Sequence, residues 1–495
     1  MKTLFKFLIT SLIFAGTADL QAACIVRNSN GQPTNVKGDP LFTVLQKSID
    51  CPENVQGLKA VLSQTGLAAQ PYMVANRGIH NPTFGSFSIF EQVSGTSSLL
   101  KNPIKNGEFF FGHFTTAKNS QVIADQEPSK GKLLVELMAW DNLKNLFNFY
   151  ELIGTGKGGQ WFYRGDSADI LADNALLYLN PQGPKFGSTL RCSACHTSGG
   201  PIMKELAAPH NDWWTPSRPL NFGSNAVSSE IANWVQKLGD ASDLSQSVKA
   251  GIARLEGSSQ YQNAKQQFSL QATLRPLFCE TEINLESDIV PLDQASSSVK
   301  IPSASIVNPF LAGGSISVAS PAYQQLLHFT DMRFPETNRR DADHGWLVPV
   351  KGYADLIAIQ SLIINGIVTD QFVADVLAVD FGNPLFSSKR CGLVQLIPPE
   401  GLAKFPDRLK SSSLSGASEL YENLTNPERT RSFHAQRAQN LLAKTQLALN
   451  AVGGQVQIFK NLMAGRQAVF NAEISKNPRG QILEPGFRVI FPVSQ

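Results

Sequence analysis

Five consecutive residues constrain this chain more than any others. Cys192-Ser193-Ala194-Cys195-His196 sets two thiols three positions apart, with an imidazole directly after the second. With 6 cysteines and 7 histidines in 495 residues, chance supplies only about 0.001 such arrangements. C-x-x-C-H is the attachment sequence of c-type haem. The spacing has a chemical reason. Two nearby thiols add across the two vinyl groups of a porphyrin, and the adjacent imidazole then lies under the iron. Other uses of a C-x-x-C pair fit less well. A thioredoxin-like redox pair sits between a strand and a helix. Here Thr197-Ser198-Gly199-Gly200-Pro201 follows and cannot continue a helix far. A zinc site wants a second Cys or His pair at close spacing, and the sequence has none.

The N-terminus points to the compartment in which that chemistry occurs. Lys2 and Lys6 precede an apolar run, Phe7 to Ala15, and small residues lead to Leu20-Gln21-Ala22-Ala23-Cys24. The run falls far short of the ~20 residues that span a bilayer. It reads as a secretory signal peptide cleaved after Ala22 or Ala23, which makes the protein periplasmic or secreted. Lipid anchoring at Cys24 ranks second, because Gln21 stands where a lipobox has an aliphatic residue. The most apolar later stretch, Leu356 to Val368, is broken by Gln360, Ser361 and Asn365 and reads as a buried helix, so no transmembrane span is expected. In an oxidising compartment the remaining cysteines, Cys24, Cys51, Cys279 and Cys391, form an even set. Three pairings are open to them, of which 24–51 and 279–391 is favoured.

Composition narrows the class. The chain is 42% hydrophobic and 17% charged, with a mean hydropathy of −0.11. That describes a soluble globular protein with a sizeable core, neither disordered nor many times membrane-spanning. A formal net charge of +3 without a basic cluster argues against nucleic-acid binding. Phenylalanine stands at 30 against 8 tyrosines, so most aromatics are suited to burial.

Along the chain, residues 24 to about 80 show helical spacing. From Phe84 the pattern turns to strands: Phe84 to Phe90, Glu108 to Phe114, Leu133 to Trp140, Leu146 to Ile153 and Gln160 to Arg164. Helical periodicity returns at 228–238, 244–255, 321–329, 353–379, 429–452 and 455–475. Ser, Pro and Ala mark a loop over 290–320, and Pro, Gly and Ser a break over 396–416. A short strand at 487–491 ends the pattern. The fold class is α+β, an antiparallel sheet flanked by helical regions. The expected divisions are 1–22 signal peptide, 23–83 N-terminal helical segment, 84–225 β-rich haem c domain, 226–400 helical domain and 401–495 C-terminal helical hairpin.

Through Cys192 to His196 the chain resembles a c-type cytochrome. The resemblance implies one covalent haem c, thioether links at Cys192 and Cys195, and His196 as proximal iron ligand. Strands ending in Phe149-Tyr150-Glu151-Leu152 and Trp161-Phe162-Tyr163 ahead of the motif are similar to the cytochrome P460-like haem domains, which pack haem against an antiparallel sheet. After His196 the chain departs from those families and continues for almost 300 residues.

Two functions stay open, beside a non-catalytic binding protein in which haem is structural. One is an exported monohaem cytochrome passing electrons to or from a redox partner protein or a small-molecule oxidant or reductant. The other is a haem-dependent oxidoreductase, or a gas- or peroxide-binding protein, with an open sixth coordination position. His113, in the aromatic strand, is the candidate distal residue. Met73, Met138, Met332, Met463, His210, His328 and His344 are the other side chains able to close the site, while Met203, seven residues past His196, is too close to reach over the haem face.

Overall fold

A computed structural model describes residues 24–28, 30–76, 86–116, 134–172, 192, 196, 198–202, 211–213, 236–279, 283–287, 298–319, 321, 347–384, 387–458 and 460–461. Eight strands build the main sheet: β1 (Val26–Arg27), β2 (Leu67–Asn76), β3 (Ser86–Gly95), β4 (Phe109–Thr116), β5 (Leu134–Asp141), β6 (Leu146–Gly154), β7 (Gly159–Asp166) and β8 (Asn211–Trp213). Their spatial order is β1-β7-β6-β5-β4-β3-β2-β8. From β2 to β7 this is an antiparallel meander. β1 adds in parallel to β7, and β8 adds antiparallel to β2. With helices over much of the remaining chain, the class is α+β.

Successive strand residues face opposite ways, and both faces are used. Phe109, Phe111, Leu137, Tyr150, Leu152 and Trp161 form the first face. It is covered by α1 (Pro40–Lys47) and α2 (Val55–Gln64), which bury Leu41, Val44, Leu45, Leu58 and Leu62 against it. Asp39 starts α1 by accepting the Phe42 N–H at 2.8 Å, with Pro40 at the first helical position. Phe110, Met138, Trp140, Phe147 and Phe149 form the second face. There α3 (Ala241–Glu256) lays down Leu244, Val248, Ile252 and Leu255, a stripe at helical spacing.

The strand order carries the motif onto the second face. β7 and β8 stand six strand spacings apart, roughly 29 Å at ~4.8 Å per spacing. The chain between them, which contains the C-x-x-C-H run, has to cross the sheet. Ile170 and Cys192, both on this connection, pack in the second-face cluster.

A separate helical core follows. It is built from α4 (Ser259–Gln266), α5 (Leu270–Phe278), α6 (Tyr353–Ile364), α7 (Asp370–Leu377), α8 (Ser388–Gly392), α9 (Phe405–Lys410), α10 (Ala417–Thr425) and α11 (Arg431–Asn450). Leu277, Phe278, Ile359, Val376, Leu393, Phe405 and Leu420 lie at its centre. Two small ladders accompany it: β9 (Ile283–Ser287) with β12 (Leu347–Lys351), and β10 (Ser298–Pro302) with β11 (Ser315–Ala319).

Several expectations need amendment. The 24–80 stretch holds α1 and α2, yet also β1 and β2, so the N-terminal segment is part of the sheet. The 290–320 loop contains β10 and β11. The 353–379 helix is two helices, separated where Gly366 adopts φ +67°. The 396–416 break carries α9. The expected strand at 487–491, and most of the expected helices at 228–238, 321–329 and 455–475, lie outside the described residues.

Cys24 is bonded to Cys51 and Cys279 to Cys391. The second bond joins the end of α5 to α8 across 112 residues. A bond closing so long a loop restricts the unfolded chain, so Cys391→Ser is expected to lower unfolding stability by about 2–5 kcal/mol. The urea midpoint under non-reducing conditions measures this, and peptide mapping should recover Cys279 linked to Cys391.

Candidate functional site

Of the motif, Cys192 and His196 are the described residues. The His196 N–H donates to Cys192 O at 2.9 Å. Cys192 is buried among the apolar side chains of the second face. The His196 ring packs against Phe149, with centroids 5.2 Å apart. Its Nδ1 lies 2.8 Å from Gly200 O. A carbonyl oxygen only accepts, so Nδ1 carries a proton, and in the neutral ring Nε2 is then the nitrogen with the lone pair. That is the form in which imidazole ligates a metal, with its other nitrogen oriented by a backbone carbonyl. Cys195 lies outside the described residues.

Around the motif the second face changes character. On β6, Phe147 sits near Gly251 of α3, Phe149 meets His196, and the next residue facing the same way is Glu151. On β5, Trp140 lies under Arg254 of α3, Met138 stands across from Phe149, and Glu136 follows, directly opposite Glu151. Glu151 is buried and accepts from Arg164 Nε at 2.5 Å, while the Arg164 guanidinium covers the Phe162 ring at 4.6 Å. An apolar wall thus gives way to two carboxylates and an arginine just past the motif. Sequence reasoning did not single out these three residues. The available signal was a carboxylate at the same-facing position in each of two adjacent apolar strands.

His113 is not brought to the motif. It follows Phe109 and Phe111 by alternation and therefore lies on the first face, beneath α2. Its Nε2 is 3.1 Å from Glu91 Oε1, and Lys59 of α2 binds the same carboxylate at 2.8 Å. The expected distal role is thus corrected: the sheet itself separates His113 from His196. Met73 alternates with the second-face Tyr72 and points the same way as His113. Met138 is on the motif side, in the same apolar cluster as Cys192. Met203, Met332, Met463, His210, His328 and His344 lie outside the described residues. Among the described residues, no cluster of three His, Cys, Asp or Glu side chains is placed to hold a metal ion. In comparisons with known proteins, no protein family, characterised protein or solved structure matches the chain.

Other ionisable groups are buried away from the motif. His434, on α11, meets Asp375 of α7 at 3.1 Å inside the helical core. On the first face, Asp39 accepts from Tyr150 Oη at 2.5 Å and Asn148 Nδ2 at 2.8 Å. Burial pushes the Asp39 carboxyl up to about 6, with the Asp141 charge adding to the rise and its hydrogen bonds opposing it. A folded-state value above the unfolded 3.8 means that the folded protein holds the proton more tightly. This stabilising contribution is complete below about pH 4 and is lost as pH rises through about 6. A shift of roughly two units corresponds to on the order of 3 kcal/mol. Asp39→Asn keeps an N-cap acceptor and should remove that fall in stability between pH 4 and 6, measured by denaturant unfolding at stepped pH.

Proposed function

We propose that the protein is an exported c-type haem protein that takes part in electron transfer. One haem is held covalently through Cys192 and Cys195, with His196 as proximal ligand. The observation carrying this reading is the hydrogen bond from His196 Nδ1 to Gly200 O, because it prepares the ring as a metal ligand within a C-x-x-C-H sequence. The donor set fits a haem iron, and the aromatic second face fits a largely apolar macrocycle. When bound, haem supplies a one-electron couple. The chain's own residues do the rest. The two thiols tether the group, Gly200 O holds the imidazole orientation, and Phe149 packs against one side of the half-buried ring.

Export is supported by the N-terminal signal pattern and by the two disulfides. The Cys24 sulfur is engaged with Cys51 and so cannot also carry a thioether-linked lipid, which favours a periplasmic or secreted protein over an anchored one. No helix among the described residues is long and apolar enough to cross a membrane. The partner is a redox protein or a small-molecule oxidant or reductant.

The Glu136, Glu151 and Arg164 group favours a second reading, a haem-dependent oxidoreductase or gas- or peroxide-binding protein with an open sixth position. Charged groups beside an apolar site suit proton delivery better than simple electron transfer. Optical spectra of the ferric and ferrous protein, with and without CO, separate the two. A low-spin ferrous spectrum unchanged by CO is the result expected of the carrier. A high-spin ferric spectrum and rapid CO binding would select the second reading. In Cys192→Ala/Cys195→Ala no covalent haem absorbance should remain after acid–acetone extraction. Retention of all the haem by that double variant would refute the attachment site.

A further inference from the structure

Three successive carbonyl oxygens follow the motif, and each accepts from a different side chain. Ser198 O takes the Tyr261 hydroxyl at 2.5 Å. Gly199 O takes the Ser167 hydroxyl at 2.7 Å. Gly200 O takes His196 Nδ1 at 2.8 Å. Tyr261 comes from α4, 63 residues beyond Ser198. Ser167 directly follows β7, and its Oγ also accepts the Phe147 N–H at 2.9 Å, which ties the loop to the strand beneath it. Both donors are buried, Tyr261 at 2% exposure and Ser167 at 0%.

The loop they grip has little room to move. Gly199 adopts φ +70°, and a Cβ there would stand 2.5 Å from Ser167 O. A Cβ on Gly200 would stand 3.1 Å from Leu255, and one on Gly251 of α3 would stand 2.7 Å from Pro201. Glycine at 199 is therefore required by both conformation and contact. Buried carbonyls need donors, yet any donor would meet that need. Here the donors come from α4 and from the start of the crossing, and they fix the two successive peptides that lead into the acceptor for His196.

The geometry points to Tyr261 and Ser167 as positioning residues for the His196 imidazole. They act through the backbone of 198–200 without being placed against the ring. The inference rests on the haem reading above. The strength of the Nδ1–H···O bond sets how much electron density the imidazole gives to a metal on Nε2, and that donation is one of the protein's levers on haem potential. α4 also reaches the helical core, since Gln262 Nε2 donates to Ser361 Oγ of α6 at 3.1 Å. The helical region after the motif thereby has a direct hold on the ligand loop.

The test uses full-length haem-loaded protein carrying Tyr261→Phe or Ser167→Ala. Each variant removes one hydroxyl and keeps most of the packing. The reduction potential is read by spectroelectrochemistry, alongside the hyperfine-shifted His196 ring protons in NMR. Both variants are expected to show a more positive midpoint potential and displaced His196 shifts at wild-type haem content. Ser245→Ala removes a hydroxyl contact to Tyr353 between α3 and α6 and none of the three bonds to the loop carbonyls. It is expected to lower the unfolding midpoint without moving the potential. Wild-type potentials and ring shifts in the two loop variants would overturn the inference and leave the haem reading standing. If one variant fails to fold, the other decides. Absence of covalent haem from the wild type would instead refute the functional reading, and this inference with it.

Discussion

The passage of the chain from β7 to β8 is the constraint on which the candidate site depends. An antiparallel meander ordinarily ends where its last hairpin ends. Here the chain leaves β7 near one side of the sheet and pairs again beside β2 at the other. The first face is already occupied by α1 and α2, which precede and interrupt the sheet in sequence. The second face takes Ile170, Cys192 and the His196 loop, and α3 then packs beside them. The motif is held by an aromatic wall below and by α3 and α4 at its flank. It is not an isolated small cytochrome fold.

The two faces also sort the buried charges. The first face carries closed networks: Glu91 between His113 and Lys59, and Asp39 with Tyr150, Asn148 and neighbouring Asp141. Their polar atoms bind one another across the interface between helices and sheet, which suits the joining of layers. On the second face the charged group is smaller. It stands where the apolar wall ends, with Glu151 bound to Arg164 and Glu136 directly across the ladder from Glu151. Like charges opposite each other weaken a sheet, and Arg164 offsets that repulsion.

The meander was legible because its strands are aromatic and bounded by turn residues, as in Phe109 to Phe111 and Leu146 to Gly154. β2 was hidden. It follows α2 after only Thr65 and Gly66 and carries Pro71 in mid-strand, so its pattern merged with the helix before it. Pro71 lies outside the stretch of β2 that pairs with β8, where a missing N–H disrupts no second ladder. β10 and β11 were hidden by their Ser-rich composition, since partner strands and not propensity hold them. Of the site, Cys192 and His196 were readable from spacing alone. The face on which His113 stands was not, because alternation assigns a face only after strand register and the covering helices are known. Tyr261 and Ser167 had no local signal, as their partners are backbone carbonyls distant in sequence.

The central claim is that a haem is bonded to the two motif cysteines of the exported chain. Intact mass of the protein recovered from the periplasm or medium, followed by peptide mapping under denaturing conditions, tests it most directly. The account predicts one haem's mass above the processed polypeptide, carried on the single peptide spanning Cys192 to His196. A folded exported protein at the bare polypeptide mass, with Cys192 and Cys195 both recovered without haem, would contradict it.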